Sequence, residues 1–342
     1  MTRPRLFLHV GLPKCGSTSI QLRLASNRAA LLERGIFYPR MPVDAEGEER
    51  IGHMPLCTSI YRSIDGSPLL RQVVRDHQTA GGDALCLSSE GFIVRADREP
   101  GPGVGNVLAG YDTSIIAFFR RHDAWITSRY KQAVFGLAYG GTLAEFVAKP
   151  PRGYADMVRF DVAARLDRLA ALFGATRIRA VDLAAGKVDA VAEMGAFIDA
   201  PLADWPVDGS LLSDRRSLKV DGGDANVSLS NLATLFLRDV NARVIDPDLR
   251  EAIIVSLLRT ARPEPPTRLM RKPVAERLRI TFVRINRPLF ERHGLTPHPE
   301  VEPGAGPFRD TIDPAEREAI GHRLLADMAP DLREAAHIAL SL

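Results

Sequence analysis

The sequence predicts an α/β fold, a central parallel sheet flanked by helices with helical additions toward the C-terminus. Three observations predict it. Continuous apolar runs recur at 6–10 (LFLHV), 84–87 (ALCL) and 114–119 (SIIAFF), the pattern of strands buried on both faces. Each run leads through a loop into apolar residues at helical spacing. That alternation of strand, loop and helix lasts to about residue 200, and helical patterns alone follow.

The elements follow in order. The first strand, 6–10, runs directly into a glycine-spaced loop. Residues 17–34 open on Ser17, Thr18 and Ser19 and carry apolar residues at helical spacing, so a helix is expected. Residues 35–39 read as a short strand stopped by Pro39, and 41–53 as a polar loop. Residues 54–80 read as helix with breaks, 84–89 as strand, and 97–110 as loop because glycine and proline crowd there. The strand 114–119 is followed by a helix from about Ala124. A later helix ends at Phe173 and Gly174, and a strand is expected at 177–181. Helices are expected at 187–199, 228–243, 248–260, 272–293 and 313–340. The stretches 262–266 and 296–307 are linker-like, and neither is long enough to demand a separate domain. One domain over 1–342 is expected, with a core of about 5–200 and a helical part of about 201–342.

The chain has 342 residues, a formal charge of +3, 45% hydrophobic and 25% charged residues. These are ordinary globular values with ample length for a core. So small a net charge gives no reason to expect nucleic acid. Cys15, Cys57 and Cys86 are odd in number and lack C-x-x-C spacing, which points to a reducing compartment and away from a disulfide framework or zinc site. The first apolar run is shorter than the core of a signal peptide, so a cytoplasmic protein is expected. No apolar run approaches a membrane span.

The stretch 9–20, HVGLPKCGSTSI, carries the chemistry. Gly11 and Gly16 have the separation found in the phosphate loop G-x-x-x-x-G-K-[ST] of ATP- and GTP-binding proteins, and Ser17 and Thr18 follow. A strand before and a helix after complete the context. Backbone N–H groups of residues 14–18 can wrap an anion at the helix start. The lysine is displaced: Ser17 holds its usual position, and Lys14 stands at the loop apex. There it would reach the outer end of a bound phosphate chain by another route.

A loop of the form G-x-P-K-x-G-S-T-S after an N-terminal strand resembles the 5′-phosphosulfate loop of sulfotransferases. These enzymes move a sulfuryl group from 3′-phosphoadenosine 5′-phosphosulfate (PAPS) to an acceptor hydroxyl or amine, leaving PAP. Many members have threonine or serine where this chain has Cys15, which offers mainly its N–H. A second segment, 120–130 (RRHDAWITSRY), is similar to the family's 3′-phosphate motif. Arg120 at a strand end and Ser128 on the helix match its spacing, and Tyr130 also falls into place. The usual proline after the arginine pair is absent. Arginine offers phosphate paired, charge-assisted bonds. Weaker similarity extends over about residues 5–295, through 154–174, 225–241 and 284–294.

The resemblance implies that Pro13, Lys14, Cys15, Gly16, Ser17, Thr18, Arg120 and Ser128 bind the donor, and that Lys14 stabilises the leaving group. No metal is required if lysine and amides neutralise the charge. A general base is also needed. Glu90 follows the strand LCLSS, at the edge where open α/β sheets bind ligands; His53 also lies between the two motifs. Glu90 is favoured over His53. His122 is a weaker option, and His9 reads as a buried strand residue. Expected partners are a small-molecule or carbohydrate acceptor, with no nucleic acid. Two other readings stay open: an ATP-dependent kinase-like enzyme and a catalytically silent PAP-binding protein.

Arg215, Arg216 and Lys219 read as a solvated loop. The basic segment 268–292 reads as a charged helix that packs one apolar face on the core. Acceptor pockets are expected in the loops 39–56, 92–110 and 134–153.

Overall fold

β1 (Arg5–Gly11) buries every residue after Arg5, so both faces of the sheet are covered at its centre. The computed structural model describes residues 3–43, 50–63, 67–184, 188–212, 229–243, 246–260, 266–300 and 306–340. The remaining strands are β2 (Ile36–Phe37), β3 (Ala84–Ser88), β4 (Asp112–Phe119) and β5 (Ala175–Asp182). They pair in the order β2-β3-β1-β4-β5, all parallel. This is the α/β fold that the sequence predicts.

Two compact units divide the chain. One comprises Met1–Arg121, Asp161–Ser213 and Val283–His298; the other comprises His122–Phe160, Asp214–Phe282 and Pro299–Leu342. The first unit holds the sheet. Its helix Ser17–Ser26 packs with Ala190–Ile198, which also packs on β4. The helix Gly91–Arg95 packs on β1 and on Val162–Phe173, which packs on β5. Right-handed crossovers carry these two groups to opposite faces of a parallel sheet. Asn286 ties the late segment to this unit. Its buried Oδ1 accepts from the N–H groups of Val162 (2.6 Å) and Ala163 (3.2 Å), while Asp161 caps Ala164 at 2.8 Å.

The second unit is helical. Asn231–Asn241 packs on His122–Gly136 and Pro247–Arg259, and Pro314–Asp327 and Pro330–Leu340 pack on Pro247–Arg259. The basic segment behaves as expected where it lies in this unit: Ala275, Leu278 and Phe282 of the helix Lys272–Ile285 are buried. Several stretches differ from expectation, among them 313–340, which divides into the helices Pro314–Asp327 and Pro330–Leu340. The helical patterns 17–34 and 272–293 each break at an asparagine, Asn27 and Asn286. The loop 97–110 contains the short helix Val104–Leu108, which starts at Gly103 with φ 74°. Arg215, Arg216 and Lys219 lie outside the described residues.

Two buried histidines in the first unit make the fold acid-sensitive. Burial pushes His9 from 6.5 down to about 3 and His53 from 6.5 to about 4. Both are therefore neutral when folded and take up protons near pH 6.5 when unfolded. The unfolded state binds more protons below pH 6.5, so stability falls as pH falls. Urea unfolding measured between pH 5.5 and 4.5 is expected to lose about 2–3 kcal/mol from this pair. A flat profile there would contradict the buried, neutral assignment.

Candidate active site

β1 lies between β3 and β4, with His9 opposite Ser88 and Gly11 opposite Phe118. The segments leaving these three C-terminal ends therefore emerge at one edge of the sheet. They carry Leu12–Gly16, Ser89–Glu90 and Arg120–Arg121. The chain runs outward from β1 in both directions, so this edge is the topological switch point where open α/β sheets bind ligands.

The loop turns on two left-handed residues, Lys14 (φ 70°) and Gly16 (φ 82°). A left-handed lysine is uncommon. At Gly16 glycine meets two demands: the positive φ, and a Cβ that would stand 3.1 Å from the Cβ of Ala190. Gly16 also caps the helix Ser17–Ser26 without any side-chain hydrogen bond, and the first turn holds no acidic residue. The N–H groups of Cys15, Gly16, Ser17 and Thr18 find no backbone acceptor among the described residues, as helix starts require. Ser17 Oγ is buried without a partner among them. This concave set of unmet donors fits an anion. Arg120 Nη1 donates to the carbonyl of Lys14 at 3.4 Å, which brings a second cation to the loop. Burial pushes the Cys15 thiol up to about 12, against the pull of Arg120. It stays neutral and leaves its N–H as the useful group.

Glu90 leaves β3 as the cap of the helix Gly91–Arg95. Ser89 steadies that turn, its Oγ accepting from the Gly91 N–H at 3.1 Å. Arg165 holds the far end of the helix. It donates to the carbonyls of Ile93 (3.1 Å) and Val94 (2.7 Å) and pairs with both oxygens of Asp97. Gln21 Nε2 donates to Glu90 Oε2 at 3.3 Å and to the Ser88 carbonyl at 3.4 Å. Gln21 comes from the helix that starts at the anion loop, so it links the loop to the carboxylate. Gly52 makes room for it, since a Cβ there would stand 2.5 Å from the Gln21 amide.

His53 is fully buried, and both ring nitrogens are committed to backbone. Nδ1 accepts from the Ser88 N–H at 2.8 Å, so Nε2 carries the proton and donates to the Pro39 carbonyl at 3.1 Å. His9 Nδ1 hydrogen-bonds Ser88 Oγ at 2.7 Å. His122 is buried in the second unit, stacked on Phe282 at 4.7 Å.

The structure thus gathers Pro13 to Thr18, Glu90 and Arg120 at one sheet edge in the first unit. His53 is buried in the same unit and bonded to the last residue of β3. Ser128 lies in the second turn of His122–Gly136, which belongs to the second unit. Sequence reasoning missed Gln21, although its place four residues after Ser17 puts both on one helix face. It also missed the buried pair at the end of β5, where Asp182 Oδ2 meets His298 Nε2 at 2.7 Å.

No family model matches the chain, and no curated protein matches it. Among solved structures it is similar to the crystal structure of a sulfotransferase from Alicyclobacillus acidocaldarius. The identity is 16% and the TM-score 0.37, with 62% of this chain and 89% of that chain covered. A likeness of that size leaves function to the residues themselves. Among the described residues, no group of three or more His, Cys, Asp or Glu could hold a metal ion, and no helix is long and apolar enough to cross a membrane.

Proposed function

We propose that this chain is a sulfotransferase that uses PAPS and modifies an acceptor hydroxyl on a carbohydrate, lipid or small metabolite. One observation carries the reading: an anion loop at the switch point whose lysine stands at the left-handed apex, with Arg120 donating to that lysine's carbonyl. The displaced lysine separates this loop from those that hold ATP with magnesium.

The donor supplies an activated sulfuryl group. The N–H groups of Cys15 to Thr18 and the hydroxyls of Ser17 and Thr18 would hold its 5′-phosphate, and Pro13 shapes the turn. Arg120 would meet the 3′-phosphate, the group to which the family resemblance also assigns Ser128. In an in-line displacement, positioning and charge stabilisation do most of the catalysis. Lys14 meets the negative charge that grows on the bridging oxygen of the leaving nucleotide. Glu90 takes the acceptor's proton. Gln21 engages one carboxylate oxygen, Oε2, and leaves Oε1 to face the hydroxyl. Glu90 is preferred to His53 as base because both nitrogens of His53 already serve the backbone.

In the same reading the chain is a single sulfotransferase-like domain of the cytoplasm. Three free, buried cysteines among the described residues support a reducing compartment. The test is transfer of label from [³⁵S]PAPS to a set of phenols, sugars and hydroxylated lipids. One labelled sulfate ester should form for each PAP released. PAP release without any ester would count against a transferase.

A further inference from the structure

Close to Glu90 lies a cation that the reaction above leaves unused. Arg95 is the last residue of the helix Gly91–Arg95 that Glu90 caps. Its Nη1 reaches Met54 Sδ at 3.2 Å and Cys57 Sγ at 3.9 Å. These are its hydrogen-bond partners among the described residues, and sulfur is a weak acceptor. Burial pushes the Cys57 thiol up to about 12, so near neutral pH no thiolate offsets the guanidinium. The carboxylate of Asp97 is engaged by Arg165.

The side chain also folds back along its own helix. A Cβ on Gly91 would stand 2.8 Å from Arg95 Nη1, 2.6 Å from Met54 Sδ and 2.9 Å from Cys57 Sγ. Gly91 directly follows Glu90, so the guanidinium lies against the backbone one residue after the one that carries the carboxylate. No ion pair holds it among the described residues, so an anion on a bound molecule can meet it through charge-assisted bonds.

We propose that Arg95 reads a negative group on the acceptor, so that the acceptor carries its own carboxylate, phosphate ester or sulfate close to the hydroxyl that is modified. The inference rests on the sulfotransferase reading and narrows its substrate class. Glu90 and Arg95 stand five residues apart, about 7–8 Å of helix rise, on the scale of one sugar or aromatic ring with its substituents. Small hydroxy acids and uronic acids fit that spacing better than neutral alcohols.

The test is calorimetry on the PAP-loaded protein with matched probes: 4-hydroxyphenylacetate against 4-hydroxyphenylacetamide, and glucuronate against glucose. The charged member of at least one pair should bind about 10- to 100-fold tighter. Arg95→Gln should erase that preference and leave PAP affinity unchanged, while Arg95→Lys keeps part of it. Gly91→Ala, which displaces the guanidinium without removing its charge, should weaken the preference. Equal binding of the two members, no binding of either charged probe, or a preference that survives Arg95→Gln would overturn the inference. All three leave PAP binding intact. Loss of PAP binding by the wild-type protein is a different result and removes the sulfotransferase reading itself.

Discussion

Replacing Lys14 with alanine is expected to lower kcat for sulfuryl transfer by about 10²–10³-fold, the effect of removing one preorganised donor from a developing oxyanion. PAPS affinity should fall by less than about tenfold, because the N–H groups of the loop and Arg120 still hold the phosphates. The split follows from differential binding: charge on the bridging oxygen grows in the transition state and is absent from that oxygen in bound PAPS. Lys14 has a φ of 70°, a conformation whose Cβ cost of about 1–2 kcal/mol lysine and alanine share. Asparagine tolerates that conformation better. Lys14→Asn should therefore be as inactive as Lys14→Ala while keeping the loop shape. A Lys14→Asn protein with wild-type kcat would remove the lysine from the chemistry.

Glu90→Gln is expected to lower kcat by about 10²–10⁴-fold, the usual contribution of a positioned general base. The amide keeps the shape of the carboxylate and can still accept from Gln21. PAP affinity and thermal stability should stay near wild type. His53 is the informative contrast. His53→Gln breaks bonds to Ser88 and Pro39 inside the fold. It should cost about 1–3 kcal/mol of stability for each buried group left unpaired and leave the kcat of the folded fraction close to normal. If His53→Gln abolishes turnover in folded protein and Glu90→Gln does not, the two roles are reversed.

Much of the fold was legible because β1, β3 and β4 are buried on both faces and read as continuous apolar runs. β5 was read short because it alternates: Thr176, Arg177 and Arg179 are exposed, as on a charged edge strand. The helix breaks at Asn27 and Asn286 were hidden in long-range bonds. Asn27 donates to the carbonyl of Pro206 at 2.8 Å, and Asn286 caps the helix start at Val162; no local pattern records either partner. The helix Val104–Leu108 is too short to outweigh the glycines and prolines around it.

The candidate site divides in the same way. The loop could be read because its chemistry is local: glycine spacing, a helix start and one lysine. Glu90 could be placed because strand ends are predictable. The task of His53 could not, since it depends on the N–H of Ser88, 35 residues on. Gln21 looked like an ordinary helix residue until the sheet brought Glu90 beside it. The fold-back of Arg95 depends on Met54 and Cys57 from another helix.

The central claim is that the displaced lysine marks a loop for a 3′-phosphorylated sulfate donor instead of ATP. Calorimetric titration with PAP and with ATP, each with and without magnesium, tests it most directly. The account predicts tight PAP binding that is indifferent to magnesium, weakened about 10- to 100-fold by Arg120→Ala, and ATP binding that is far weaker. Tight binding of ATP that requires magnesium, with no binding of PAP, would contradict it.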